Sequence, residues 1–396
     1  MPPVIPSKFP NGTSHRILNI AINTPQSSKA FHVNMNNNSV HSPNHDAPHD
    51  APHVPNRAQM TCHAPAPATA VSSGKGAPGT MQFTITQGPT QLWSFKVTRP
   101  SSSSGSLGSG VELRNVKYKG KTLLNRAHVP ILNVEYDNNP AGCGPQYRDW
   151  QWQEWPFSCS GTDLGPGFRL CHSPPKTILD PPNVDGGDFT GVAYYIDGPE
   201  VVLKSQLIAG WYRYVSEWRF HVDGTLKPRF GFGAVYQDPY CVCQVHHHHV
   251  YWRFDFDIVT PGNNVVREYN RLPPFPPFRS DIIFETKRPK NILRSRHWEI
   301  SNVLTQDTYA LFPGPNDGTS TAFGVGDLWA LQYHPNEFDD GVSPPPMALL
   351  DNFLTGEAVK DKDVVVWYGA HFRHDHTHMP PGQSHVVGPD IRPVKW

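Results

Sequence analysis

The chain has 396 residues, with 34 Lys plus Arg set against 34 Asp plus Glu and as many as 42 prolines. That balance excludes a broad electrostatic field of either sign, so neither nucleic acid nor a membrane is expected as a partner. The prolines, with 11 Trp, 14 Tyr and 20 Phe, argue against long helices and for extended strands joined by turns.

The length permits several domains or one large β domain. No apolar run reaches membrane-spanning length. The first residues carry no basic-then-apolar leader, so no secretory route is visible and the compartment stays open. Six cysteines in a chain of this size do not amount to a disulfide framework, although Cys159 and Cys171 could close one loop.

Residues 1–80 are rich in Pro, Asn, Ser and His and poor in large apolar side chains. They are expected to form a disordered extension, because they cannot bury enough surface to fold alone. The repeat His45-Asp46-Ala47-Pro48-His49-Asp50-Ala51-Pro52-His53 leaves loose metal holding as an alternative.

The folded part is expected over 81–396. Alternation predicts strands at Phe83–Ile85 and Leu92–Val97, then a Ser/Gly linker over 101–110, then two short strands around Lys119-Gly120-Lys121. Further strand-like runs follow at Val201–Leu203, Tyr212–Val222, Gly231–Tyr236, Val250–Ile258, Trp298–Ile300 and Val364–Tyr368. Helical periodicity is weak everywhere, with at most a short helix over 346–354. The fold class read from this is all-β, a large β-sandwich.

The most informative stretch is His246-His247-His248-His249-Val250-Tyr251-Trp252-Arg253-Phe254-Asp255-Phe256-Asp257. On a strand, His246 and His248 share one face, and Asp255 and Asp257 share a face further on. A second cluster, His371, His374, His376 and His378, lies near the C-terminus. Together they suggest a three-histidine transition-metal centre. A solvated His-rich strand is the plain alternative, and three imidazoles suit zinc as well as copper.

Several motifs, in one order, resemble the copper amine oxidase family: Arg114–Lys121, Trp211–Phe220, the His246/His248 pair, Ala322–Trp329 and Asp363–Tyr368. The resemblance covers 81–396 and implies that family's catalytic β-supersandwich, without its small N-terminal domains. It implies copper held by His246, His248 and His374, with His376 as the rival third ligand. It implies that Tyr212 is the precursor of topaquinone, that Asp149 is the catalytic base and that Tyr136 bonds the quinone oxygen. It further implies a peripheral calcium-type site of Asp255, Phe256 (through its carbonyl), Asp257 and Asp363, a Cys159–Cys171 disulfide, and a homodimer.

The activity so implied is oxidative deamination of a primary amine by dioxygen, giving aldehyde, hydrogen peroxide and ammonia. The family's Asn-Tyr-Asp-Tyr reads Trp211-Tyr212-Arg213-Tyr214 here. An arginine beside the ring could repel a protonated amine. Two other readings therefore stay open: a topaquinone-free copper oxidase acting on another substrate, and a non-catalytic copper-binding protein. The aspartate is expected to be desolvated by Trp150, Trp152 and Trp155.

Overall fold

The computed structural model describes residues 5–8, 14–24, 27–34 and 39–41, and then 79–396 except for 138–142, 144–145, 236–240, 321–325, 339–349 and 376–384. The chain divides into two compact units, Met1–Gln59 and Met60–Trp396. In the first, strands Ile5–Lys8, Ser14–Thr24, Ser27–Asn34 and Ser39–His41 pair antiparallel in sequence order. All the chemistry described below lies in the second.

That second unit is a β-sandwich of a 12-stranded and a 9-stranded sheet. Strand His246–Phe256 runs near the middle of the smaller sheet, antiparallel to Lys121–Tyr136 on one side and to Val364–His374 on the other. In the larger sheet, Tyr212–His221 lies between Glu200–Ala209 and Leu226–Ala234. Each strand obeys the two-residue alternation that its sequence carries. Tyr212, Tyr214, Trp218 and Phe220 enter the main core together with Val250, Trp252, Phe254 and Phe256 from the facing sheet. The opposite face of the histidine strand, through Tyr251, packs into a second apolar cluster with Ile131, Trp329 and Trp367.

Two sequence expectations need correction. The segment 101–110 is not a linker. It opens with a 3-10 turn at Pro100–Ser102 and folds on itself through Ser109 N–H to Ser103 Oγ at 2.8 Å. Ser109 Oγ then lies 3.1 Å from His128 Nδ1, with both residues buried. Serine hydroxyls here satisfy backbone groups that a flexible linker would leave to water.

The cysteines also do more structural work than their number suggested. Cys159–Cys171 is a disulfide, and a second bridge joins Cys143 to Cys241 across 98 residues of sequence. No free cysteine remains among the described residues. Among the described residues of 346–354, Leu350–Phe353 form a 3-10 turn.

Candidate metal and tyrosine centre

Strand register, rather than any local motif, assembles the site. His246 stands opposite Tyr136 on one neighbouring strand and opposite His374 on the other. All three, with His248, are almost completely buried. The His246 ring centroid is 4.9 Å from that of His248 and 4.8 Å from that of His374. From the facing sheet, the Tyr212 hydroxyl reaches to 3.1 Å from His246 Nε2 and hydrogen-bonds the Tyr136 hydroxyl. Trp211 Nε1 donates to the Tyr136 oxygen at 3.1 Å. His376 lies outside the described residues.

The hydrogen bonds determine which imidazole nitrogens carry lone pairs. His246 Nδ1 sits 2.6 Å from the Gln244 carbonyl, which can only accept, so Nδ1 carries the proton and Nε2 is bare. Tyr214 donates to Asp149 Oδ2 at 2.5 Å, leaving its oxygen free to accept from His248 Nδ1 at 3.2 Å. His248 Nε2 is therefore also bare, and it is buried with no hydrogen-bond partner.

Burial pushes the His246 pKa down to about 4 and holds His248 well below the usual imidazole value. Both rings are neutral at pH 7. This is the ring state a metal ligand requires, and an N–H bonded to a backbone carbonyl is a common way of presenting it.

Asp149 is buried, and that burial raises its pKa to about 7 against the opposing effect of the Tyr214 hydrogen bond. The three tryptophans expected to desolvate it do not act together. Trp152 is largely exposed, and Trp155 packs elsewhere, on Arg213. Tyr212 is held well above the ordinary phenol range, first by burial, so it is a neutral phenol in the ion-free site.

Arg213 does not face Tyr212's partners. Alternation sends it to the other side of the sheet, where Asp185 takes it in a two-point ion pair at 2.8 and 2.9 Å. Its guanidinium carbon lies 4.3 Å from the centre of the Trp155 ring, and the Trp155 indole N–H donates to the same Asp185 at 2.7 Å. The expected repulsion of a cationic amine is thus removed by pairing and by orientation.

Phe232 went unnoticed in the sequence. Its ring centroid lies 4.0 Å from that of His248, 4.7 Å from His374 and 5.4 Å from Tyr212. His385, also buried, sits 5.5 Å from the His374 ring. Alternation in Leu226–Ala234 was the available signal for Phe232. Nothing in the local sequence marked His385.

At the far end of the histidine strand, and on its outer face, Asp255 and Asp257 meet Asp363. Their carboxylate oxygens all lie within 4.8 Å of one another, close enough for three side chains to hold one metal ion. One oxygen of each is buried without a partner. Asn125 donates to the other oxygen of Asp255 at 3.0 Å. Burial, then the neighbouring carboxylates, raise Asp257 to about 7. Burial, with Asp255 second, raises Asp363 to about 6. Phe256, between the two strand aspartates, sends its ring into the main core. Arg253 Nη1 approaches Asp255 Oδ2 at 3.9 Å, and the crowded carboxylate oxygens that remain fit a hard cation.

No protein-family model matches the chain, and no curated protein does. Solved structures do match. A copper-containing benzylamine oxidase from Hansenula polymorpha superposes with a TM-score of 0.55 and 14% identity, over 83% of this chain and 62% of its own. An amine oxidase from Aspergillus nidulans gives 0.52 and 14%, over 94% and 62%. A lysyl oxidase from Pichia pastoris gives 0.53 and 13%, over 98% and 68%. The chain spans 62% of the length of the first two. At these identities the likeness establishes the fold, which is that of the copper amine oxidases.

Proposed function

We propose that this chain is a copper-dependent oxidoreductase that oxidatively deaminates a primary amine, with Tyr212 as the precursor of a topaquinone. The observation that carries the reading is the Tyr212 hydroxyl 3.1 Å from His246 Nε2, beside the neutral imidazoles of His246 and His248 and the buried ring of His374. Copper would be held by His246, His248 and His374, with Tyr212 as the phenol within its reach. The donors alone suit zinc equally; the fold and the adjoining phenol favour copper. His376 remains the rival third ligand.

When bound, copper and the quinone supply an electron sink for the amine and a route for its electrons to dioxygen, releasing aldehyde, ammonia and hydrogen peroxide. The chain's own residues do the rest. Asp149, with a pKa of about 7, is poised at neutral pH to take a proton from the carbon bearing the amine. Tyr214 holds that carboxyl and, through the same oxygen, keeps His248 in the tautomer with a bare Nε2. Tyr136, steadied by Trp211, fixes the Tyr212 hydroxyl. Phe232 and the surrounding core keep water away, which strengthens each of these polar contacts.

Asp255, Asp257 and Asp363, with the Phe256 carbonyl, would hold calcium as a structural ion. Residues 81–396 act as the catalytic domain, and the assembly is a homodimer.

A second reading is favoured by one observation, the enclosure of Tyr212 among Phe232, Tyr214 and Trp211. A ring so confined supports a copper oxidase that keeps its tyrosine unmodified. The test is to give purified, metal-free protein copper and air. The quinone reading expects a visible absorption band, reaction with phenylhydrazine and a mass change confined to the peptide with Tyr212. Bound copper with none of these leaves the second reading. Absence of copper binding removes both.

A further inference from the structure

The chain's charges balance overall, but not locally. Between Arg271 and Arg296 there are seven basic residues and two acidic ones; five of the seven pair with acids outside the stretch, which leaves Arg271 and Arg294. The same stretch carries the most concentrated exposed apolar surface of the sandwich: Leu272 at 43% exposure, Phe275 at 67%, Phe278 at 63%, Ile292 at 78% and Leu293 at 58%. Two adjacent turns present them. Arg271 N–H donates to the Arg294 carbonyl at 2.7 Å, which sets the Leu272–Phe278 loop beside the Ile292–Leu293 turn. Arg271 and Arg294 are themselves exposed, and neither is held in an ion pair among the described residues.

The backbone of this loop is unusual in a way that matters for desolvation. Of Pro273, Pro274, Phe275, Pro276 and Pro277, only Phe275 has an N–H, and it donates to the Leu272 carbonyl at 2.9 Å. The tip therefore carries no unpaired backbone donor. Moving it out of water costs much less than moving an ordinary loop, whose unsatisfied donors are expensive in an apolar medium.

We propose that these two turns form a docking surface for an anionic lipid bilayer, the apolar tips entering the interface and Arg271 and Arg294 meeting the headgroups. Other occupants fit less well. A second copy of the chain would pair this surface with itself, setting the same two arginines against their own counterparts. A polyproline reader takes an extended ligand, whereas this segment is folded back by its own hydrogen bond. The inference is independent of the amine-oxidase reading.

The test is cosedimentation of the full chain with vesicles of phosphatidylcholine alone, or with one-third phosphatidylserine. The expected result is binding to the anionic vesicles, weakened by salt. Arg271→Glu/Arg294→Glu should lower the partition by about tenfold or more, from about 1 kcal/mol per basic residue. Phe275→Ser/Ile292→Ser should lower it comparably. All four positions are exposed, so unchanged circular dichroism and an unchanged thermal midpoint verify the fold. Equal sedimentation with and without vesicles overturns the proposal, and so does binding that both variants leave intact. A concentration-dependent dimer that Phe275→Ser/Ile292→Ser dissolves, without vesicle binding, overturns it in favour of self-association.

Discussion

The two ends of strand His246–Phe256 make an instructive pair. The first end turns imidazoles toward the main core; the last turns carboxylates toward the opposite face. Roughly 30 Å of strand separates them, at about 3.4 Å per residue. Burial acts on both and drives both toward neutrality, down to about 4 at His246 and up to about 7 at Asp257. The consequences differ. A neutral imidazole is already a ligand, so burial prepares the first end for a metal. A carboxylate must lose its proton to bind, so at the second end protons would compete with the proposed cation.

The pH dependence of stability in the ion-free protein follows with opposite signs. His246 has a depressed pKa in the fold, so its unfolded form takes up protons first. Stability is lost at that end as pH falls from about 6.5 toward about 4. Asp257 and Asp363 have raised pKa values, so the folded form holds protons more tightly. Stability is lost at their end as pH rises from about 4 through about 7.

The largest expected effect tests whether the first end is more than an ion site. Tyr212→Phe should abolish the quinone band and reduce amine oxidation to background while copper content holds. Surviving turnover, read as peroxide release, would show that Tyr212 is not the redox cofactor and would leave the copper oxidase with an unmodified tyrosine.

Asp149→Asn comes next, with an expected loss of about 10²–10⁴ in kcat and of the rise in rate through about pH 7. Because ionising a buried carboxyl is unfavourable, the same variant should be more stable than the parent at pH 8 and not at pH 4. Denaturant midpoints at the two pH values check this.

At the other end, calcium at a hundredfold above its dissociation constant should stabilise chelator-treated protein by about 2.7 kcal/mol. The gain should shrink toward pH 5 and vanish in Asp257→Asn/Asp363→Asn, with copper content unchanged. A calcium response that survives this double variant would break the contrast between the two ends.

The smallest effect is expected of Trp211→Phe. It removes one neutral hydrogen bond to Tyr136, about 1 kcal/mol, and so slows quinone formation severalfold without altering metal content.

Much of this was legible in the sequence, for identifiable reasons. Alternation alone put His246 with His248 and Asp255 with Asp257, because a strand has a two-residue period wherever it is found. The all-β class followed from strand-like runs separated by turn residues. Pairings between distant strands are another matter. Tyr136 and His374 flank His246 through register; the second histidine cluster raised His374 among four candidates, and only the family resemblance singled it out and pointed to Tyr136.

Arg213 shows the opposite failure. Its neighbour in sequence suggested a shared environment, yet adjacent residues on a strand look in opposite directions, and its true partner, Asp185, is 28 residues away. The bridge from Cys143 to Cys241 was hidden for the same reason, since nothing local marks two cysteines 98 residues apart as partners.

That bridge has a consequence for how the centre is framed. Cys143 follows the strand that ends in Tyr136, and Cys241 precedes the one that begins with His246, so a covalent tie lies just beyond the phenol and the imidazole that meet Tyr212. The loop it closes contains the whole Tyr212–His221 strand. In chain-entropy terms a closure of this size is worth about 4.7 kcal/mol. The alignment of the centre is thereby coupled to the thiol–disulfide balance of its surroundings: cleaving this bridge would release the loop around the site without altering any residue proposed to hold an ion.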